Sequence, residues 1–303
     1  MRNRSVPTDT VLPHIMYRDL AEALVWLSRT FEFTEHYRYG DERGQPSGAQ
    51  MHLGDTWIML KGARAATPRE LGYGTQSLTV FVEDVDAHFE RTRSAGANIV
   101  EALHETIYGE RQYGVEDLDG HLWLFSQHAR DVSPNEWGAT VMEAVFEERA
   151  EAGSTTPSGP LRQTGRVGDR QARVQCQLSV RRGREAVEFY KAAFGAVELY
   201  RFGGTDDHEE VVAQLAVGGA EFWVEDESPT HKNFSPQSLG GSTERMLLIV
   251  DDPEAVIGRA ITAGAREIYP VTGEHGWRLG RVEDPFGHHW EIGKPVTDWP
   301  PED

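Results

Sequence analysis

The feature that most constrains this chain is internal repetition: one layout occurs four times along its 303 residues. Each copy opens with a short apolar strand, continues into an amphipathic helix that ends at a small-residue turn, and closes with strands joined by glycine-containing turns. In the first copy, Val11–Tyr17 leads to a helix with Leu20, Leu24, Leu27 and Phe31 on one stripe, the spacing of a helix lying on a sheet. Gln50–Leu53 and Trp57–Leu60 then flank a Gly54-Asp55 hairpin turn. The second copy runs from Ser77–Val82 into a helix capped by Asp84 and stopped at Ala95-Gly96-Ala97, and its last hairpin turns through Asp119-Gly120. The third has Val174–Val180, a helix bearing Val187, Tyr190 and Phe194, and a hairpin at Gly218-Gly219. The fourth has Met246–Val250, Asp252-Pro253 as helix start, Ala263-Gly264-Ala265 as stop, and a hairpin through Phe286-Gly287.

The halves align at a nearly constant offset. His14 matches Gln177 at 163, Gly96 matches Gly264 at 168, and Gly120 matches Gly287 at 167. This is the signature of a duplicated domain. The expected fold is α+β, with two tandem domains over 8–132 and 173–296, each a pair of βαβββ modules forming a curved eight-stranded mixed sheet around a cup. Between them, 133–172 is expected to hold an acidic helix over Thr140–Ala150 and a flexible linker over Glu151–Ala172.

Charge narrows the partners. With 49 Asp and Glu against 30 Lys and Arg and no basic stripe, neither nucleic acid nor a membrane is expected as partner. No apolar run is long enough to span a bilayer, and Met1–Thr10 carries none either. The single cysteine, Cys176, excludes an internal disulfide, suits a reducing cytoplasmic compartment and is expected to pack a strand. A small molecule is the partner this pattern favours. The duplication is compatible with a monomer whose domains mimic a dimer, and with a homodimer.

At this point the chain resembles the vicinal oxygen chelate superfamily, which includes glyoxalase I, bleomycin-resistance proteins and extradiol dioxygenases. The marks are the closing segments 108–120 (YGERQYGVEDLDG) and 277–287 (WRLGRVEDPFG), together with 83–89 (EDVDAHF). They are most similar to the metal-poor, PhnB-like and antibiotic-binding members. The superfold hosts many activities, so the site must be argued separately.

The resemblance implies one divalent ion per cup, held by a His or Gln from the first strand and a Glu from the last strand of each of two modules. In the first domain those positions map to His14, Leu60, Ser77 and Leu124, and in the second to Gln177, Glu225, Arg245 and Glu291. Pairing the modules across domains gives His14, Leu60, Arg245 and Glu291 in one set, and Ser77, Leu124, Gln177 and Glu225 in the other. No combination completes a site, and no cofactor is expected. The alternative is one divalent ion in the C-terminal domain on Gln177, Glu225 and Glu291, with His289 sharing the Glu291 face as a stand-in ligand or, with Glu291, as an acid–base pair.

Strand phase lines the first cup with His14, His52, Ile58, Leu60, Ser77, Thr79, Phe81, Leu122 and Leu124, and the second with Gln177, Ser179, Glu221, Trp223, Glu225, Arg245, His289 and Glu291. Trp223 offers a face to a planar or cationic ligand. Trp57, Trp123 and Trp290 are expected under the helices, and Arg111–Asp117 and Arg278–Asp284 as loop-pinning salt bridges. Three functions follow: metal-independent binding of an antibiotic-like, cationic or aromatic molecule; a metal-dependent lyase, isomerase or dioxygenase in the C-terminal domain; or a first domain with a filled cup and a structural role.

Overall fold

A computed structural model describes residues 11–40, 44–54, 56–63, 66–141, 173–204, 210–231, 233–274 and 276–296. All four modules are present. The first comprises β1 (Val11–Tyr17), α1 (Leu20–Phe31), β2 (Thr34–Gly40), β3 (Pro46–Leu53) and β4 (Thr56–Gly62), followed by the short α2 (Pro68–Leu71). The second is β5 (Gln76–Phe81), α3 (Val85–Ser94), β6 (Asn98–Glu105), β7 (Glu110–Glu116) and β8 (Leu122–His128), followed by a short β9 (Ala139–Val141). The third is β10 (Arg173–Val180), α4 (Gly183–Phe194), β11 (Val197–Gly203), β12 (Val211–Val217) and β13 (Ala220–Asp226), followed by α5 (Pro236–Leu239). The fourth is β14 (Arg245–Ile249), α6 (Pro253–Thr262), β15 (Arg266–Glu274), β16 (Trp277–Glu283) and β17 (His289–Pro295).

Local chemistry sets these elements where the pattern places them. Asp84 and Asp252 accept from the amides of Ala87 and Ala255 at the starts of α3 and α6. Gly96 and Gly264 take positive φ just past the ends of the same helices, at 80° and 114°. The 140–150 helix is overturned at its start: Ala139–Val141 is a strand paired with β11, and the rest of that segment and the linker lie outside the described residues.

The two expected sheets form, but the modules are partnered differently from the expected tandem pairs. One sheet runs β15-β16-β17-β14-β1-β4-β3-β2 and joins modules one and four, while the other runs β6-β7-β8-β5-β10-β13-β12-β11-β9 and joins modules two and three. The seams are antiparallel, with His14 opposite Arg245 and Ser77 opposite Gln177. Each module's helix packs on its own strands, and α1 packs on α3 as α4 packs on α6. Each half of the chain therefore shares a core between its two modules, while each cup is shared between the halves.

The core is continuous, with Phe31 packed at a tilt against Trp123 and Phe125 in one half, and Phe194 and Phe222 packed against Trp290 in the other. One carboxylate in each half ties that half's two modules together. Asp117 accepts from Tyr17 Oη at 2.5 Å and Trp123 Nε1 at 2.9 Å, and Asp284 from Tyr190 Oη at 2.7 Å and Trp290 Nε1 at 3.0 Å. Asp117 and Asp284 are thus turn hubs, and the expected arginine pairs are not made. Arg111 instead forks onto Asp86 at 2.6 and 2.8 Å, and Arg278 pairs with Glu254.

The duplication axis is visible in one exchange of hydrogen bonds. Thr75 N donates to Thr243 Oγ1 at 3.2 Å, and Thr243 N returns the bond to Thr75 Oγ1 at 3.1 Å. No helix among the described residues is long and apolar enough to cross a membrane.

Candidate functional site

The helix-free face of each sheet carries the candidate residues. In the outer-module cup, built by modules one and four, Ile15 and Tyr17 of β1 enter the core, so alternation turns Leu12, His14 and Met16 to the cup. On β14 and β17 the core takes Met246, Leu248, Trp290 and Ile292, leaving Arg245, His289 and Glu291 for the cup. On β4 the phase is opposite to the expected one. The parallel ladder pairs His14 with Met59 and Ile15 with Leu60, so Ile58 and Leu60 go into the core while Trp57, Met59 and Lys61 face the cup.

Lys61, not Leu60, is therefore the structural counterpart of Glu291. Lys61 lies opposite Met16, two residues after His14, just as Glu291 lies opposite Leu247, two after Arg245. The side chains meet. Lys61 Nζ donates to both Glu291 oxygens at 3.3 and 3.4 Å, Arg245 Nη1 donates to Oε1 at 3.4 Å, and His14 Nδ1 stands 3.3 Å from Oε2.

Burial by itself raises the Glu291 pKa, but the His14 contact and the Lys61 and Arg245 charges overcome it and hold the carboxyl well below its ordinary range. The same burial, with Lys61 adding to it, lowers the His14 pKa, against the opposing pull of Glu291. Trp57 joins this cup rather than the core, its ring 4.8 Å from His52 and 5.2 Å from His36. His52 turns its Nδ1 back to the Gly54 carbonyl at 3.1 Å, off the centre. His289 shares the Glu291 face as expected, yet its nearest carboxylate is Glu283, at 3.9 Å.

The inner-module cup, built by modules two and three, gathers Ser77, Thr79, Phe81, Leu122 and Leu124 with Gln177, Ser179, Glu221, Trp223 and Glu225. Glu225 accepts from the Gln177 and Asn233 amides, and Ser179 Oγ lies 3.5 Å away. Burial pushes the Glu225 carboxyl up to about 7, against the opposing pull of Gln177 and Ser179. Trp223 Nε1 donates to Gln175 Oε1 at 2.9 Å, and the Gln175 amide passes the chain to Glu221 at 2.8 Å. Asn233 and Gln175 escaped the sequence reading. Gln175 shares the strand phase of Gln177 and was legible; Asn233 comes from a loop, with no periodicity to mark it.

These placements show which side chains each cup could offer a metal. The alternative trio is divided, because Glu291 belongs to the outer-module sheet and Gln177 and Glu225 to the inner. In the outer-module cup two of the four ligand positions are cations, Lys61 and Arg245. In the inner-module cup the set is Ser77, Leu124, Gln177 and Glu225, with a single carboxylate. Neither set fits a divalent ion, and no cluster of three or more His, Cys, Asp or Glu able to hold one occurs among the described residues.

Comparison with known proteins agrees with this architecture. Residues 10–125 match the model of the Glyoxalase/Bleomycin resistance protein/Dioxygenase superfamily. The uncharacterized protein Mb0911c of Mycobacterium bovis is 39% identical over 117 residues, 37% of this chain and 76% of that protein. The uncharacterized protein At5g48480 of Arabidopsis thaliana is 38% identical over 121 residues, 37% of this chain and 72% of that one. Glyoxalase I from Zea mays superposes with a TM-score of 0.61, covering 94% of this chain and 93% of its own at 14% identity, a likeness of fold alone. The chain belongs to the glyoxalase/bleomycin resistance protein/dioxygenase superfamily.

Proposed function

We propose that this protein binds small organic molecules in its two cups without a metal ion, in the manner of the sequestering members its sequence resembles. The observation that carries this reading is the Lys61–Glu291–Arg245 cluster. An ammonium and a guanidinium already satisfy the one carboxylate that would have anchored an ion, and a dication beside them would meet two like charges. The inner-module cup supports the same reading with different chemistry. The Trp223 ring beside Glu221 and Glu225 suits a flat or cationic ligand, antibiotics included, and Glu225 is charged only as pH passes about 7. A lone buried cysteine fits a reducing cytoplasmic setting, and the paired halves fit a monomer that carries its own pseudo-dimer.

Elemental analysis joined to calorimetry tests the proposal. The expected result is less than a tenth of an equivalent of Ni, Zn, Mn or Fe after desalting, with ligand heats from a panel of aromatic and charged compounds unchanged by EDTA. Near-stoichiometric metal, or ligand binding that EDTA abolishes, would instead favour a metal-dependent lyase, isomerase or dioxygenase.

A further inference from the structure

The outer-module cup has more cations than its carboxylates use, and a row of buried polar groups left without partners. One cross-strand row runs Gln50, Met59, His14, Arg245, His289 and Glu283. Gln50 faces the cup because its neighbours Ala49 and Met51 enter the core. It is 1% exposed, and neither its amide nitrogen nor its oxygen has a hydrogen-bond partner among the described residues. His14, 2% exposed, likewise leaves Nε2 unpartnered, and so do the buried Nδ1 of His289 and Nε of Arg281. Leaving such groups dry and unmatched is costly, so the row is suited to a polar partner that enters it.

Charge says what enters. Arg281 lies opposite Glu291 in the ladder, its guanidinium 4.4 Å over the Tyr269 ring, and burial together with the Arg281 charge lowers the pKa of Arg245. Glu283 is already held by Arg266. Among the described residues, Lys61 and Arg245 pair with Glu291 and Arg281 stands opposite it in the ladder, so three cations gather around one carboxylate in a chain whose net charge is −19. Among the described residues the long helices pack on the core faces of the sheets, away from the cup, and supply no N-terminal amide cradle of the kind a phosphate favours. Apolar and ring surface comes from Met59, Trp57 and Tyr39, whose hydroxyl end covers Gly48, where a Cβ would sit 2.1 Å from it.

The geometry points to a binding site for a compact aromatic carboxylate in the outer-module cup, its anion held by Arg245, Arg281 and Lys61 and its edge by Gln50 and His14. This rests on the metal-independent reading above and names the ligand class for one cup.

Titration calorimetry on the full chain with benzoate, benzamide, benzylamine and inorganic phosphate tests it, because the three ring compounds differ in charge and not in bulk. Benzoate is expected to bind at least ten-fold tighter than benzamide, with no heat from benzylamine at this cup or from phosphate. Arg281→Gln and Lys61→Met are each expected to weaken benzoate ten-fold or more while melting within a few degrees of the parent. Silence with benzoate at millimolar concentration, a preference for phosphate, or benzoate affinity unchanged in both variants overturns the inference. Benzylamine binding lost in Glu291→Gln also overturns it while leaving metal-independent binding intact. Benzoate binding that appears only after zinc loading sinks both.

Discussion

At the scale of single residues, the two cups use one carboxylate each in opposite ways. Glu291 is kept ionised by the cations around it, so folding favours its charged form. Glu225 sits among neutral amides and a hydroxyl, and folding favours its acid form, with a pKa of about 7 against 4.5. The stability it contributes is complete below pH 4.5 and is lost as pH rises through 7, amounting to no more than about 3 kcal/mol. Glu225→Gln removes the charge and keeps one accepting oxygen, the other bond being remade only if the Gln177 or Asn233 amide turns its oxygen inward. Urea unfolding of the variant is expected to show a flatter dependence between about pH 5 and 8 than the parent, with the gain in stability appearing at the alkaline end. The candidate residues themselves were largely legible in the sequence, since His14, Gln177, Glu225, Arg245 and Glu291 all reach a cup. Lys61 was not. A one-residue shift in the β4 ladder exchanged it for Leu60, and apolar alternation reads the same in either phase when Trp57 and Met59 alternate with Ile58 and Leu60.

At the scale of elements, the duplicated halves keep one asymmetric joint. His121, at the turn into β8, donates Nδ1 to Glu244 at 2.6 Å and Nε2 to the Met16 carbonyl at 2.9 Å, a wholly buried ion pair between the chain halves. Burial would lower the His121 pKa, but the Asp117 charge and the Glu244 hydrogen bond outweigh it and raise the ring to about 9. At the matching positions of the other half stand Gln76 and His288, and burial leaves His288 with a lowered pKa. A raised histidine adds stability that is full below pH 6.5 and disappears as pH climbs through about 9. Glu244→Gln places beside His121 the residue type that Gln76 supplies at the matching position of the other half, so it is expected to cost less than about 2 kcal/mol at pH 7 and to remove the alkaline loss between pH 7 and 9. Imidazole proton shifts read by NMR would show His121 titrating near or below its ordinary value in the variant. A parent-like pKa there would mean that Asp117 alone sustains the charge.

At the scale of the whole molecule, the sheet seams dictate what a half can do alone. A fragment of residues 1–141 would keep the α1–α3 core but expose the edges of β1 and β5, which in the full chain pair with β14 and β10. Two such fragments can satisfy both edges by crossing, rebuilding two cups about a twofold axis like the Thr75–Thr243 exchange. Light scattering is expected to report a dimer for the fragment and a monomer for the full chain. A folded monomeric fragment would show that the seams contribute little.

The sequence alone determined that four βαβββ modules exist, where their helices begin and end, and which residue types could reach a cup, because caps, glycine stops and amphipathic periods act within a dozen residues. Which modules share a sheet was decided only in three dimensions. Successive modules are joined closely enough that pairing within a half and pairing across halves satisfy the same local pattern. The choice belongs to the α1–α3 and α4–α6 packing, which turns the two sheets of a half away from each other and offers each seam to the other half. The cation cluster at Glu291 follows from that choice, since Lys61 and Glu291 stand 230 residues apart along the chain.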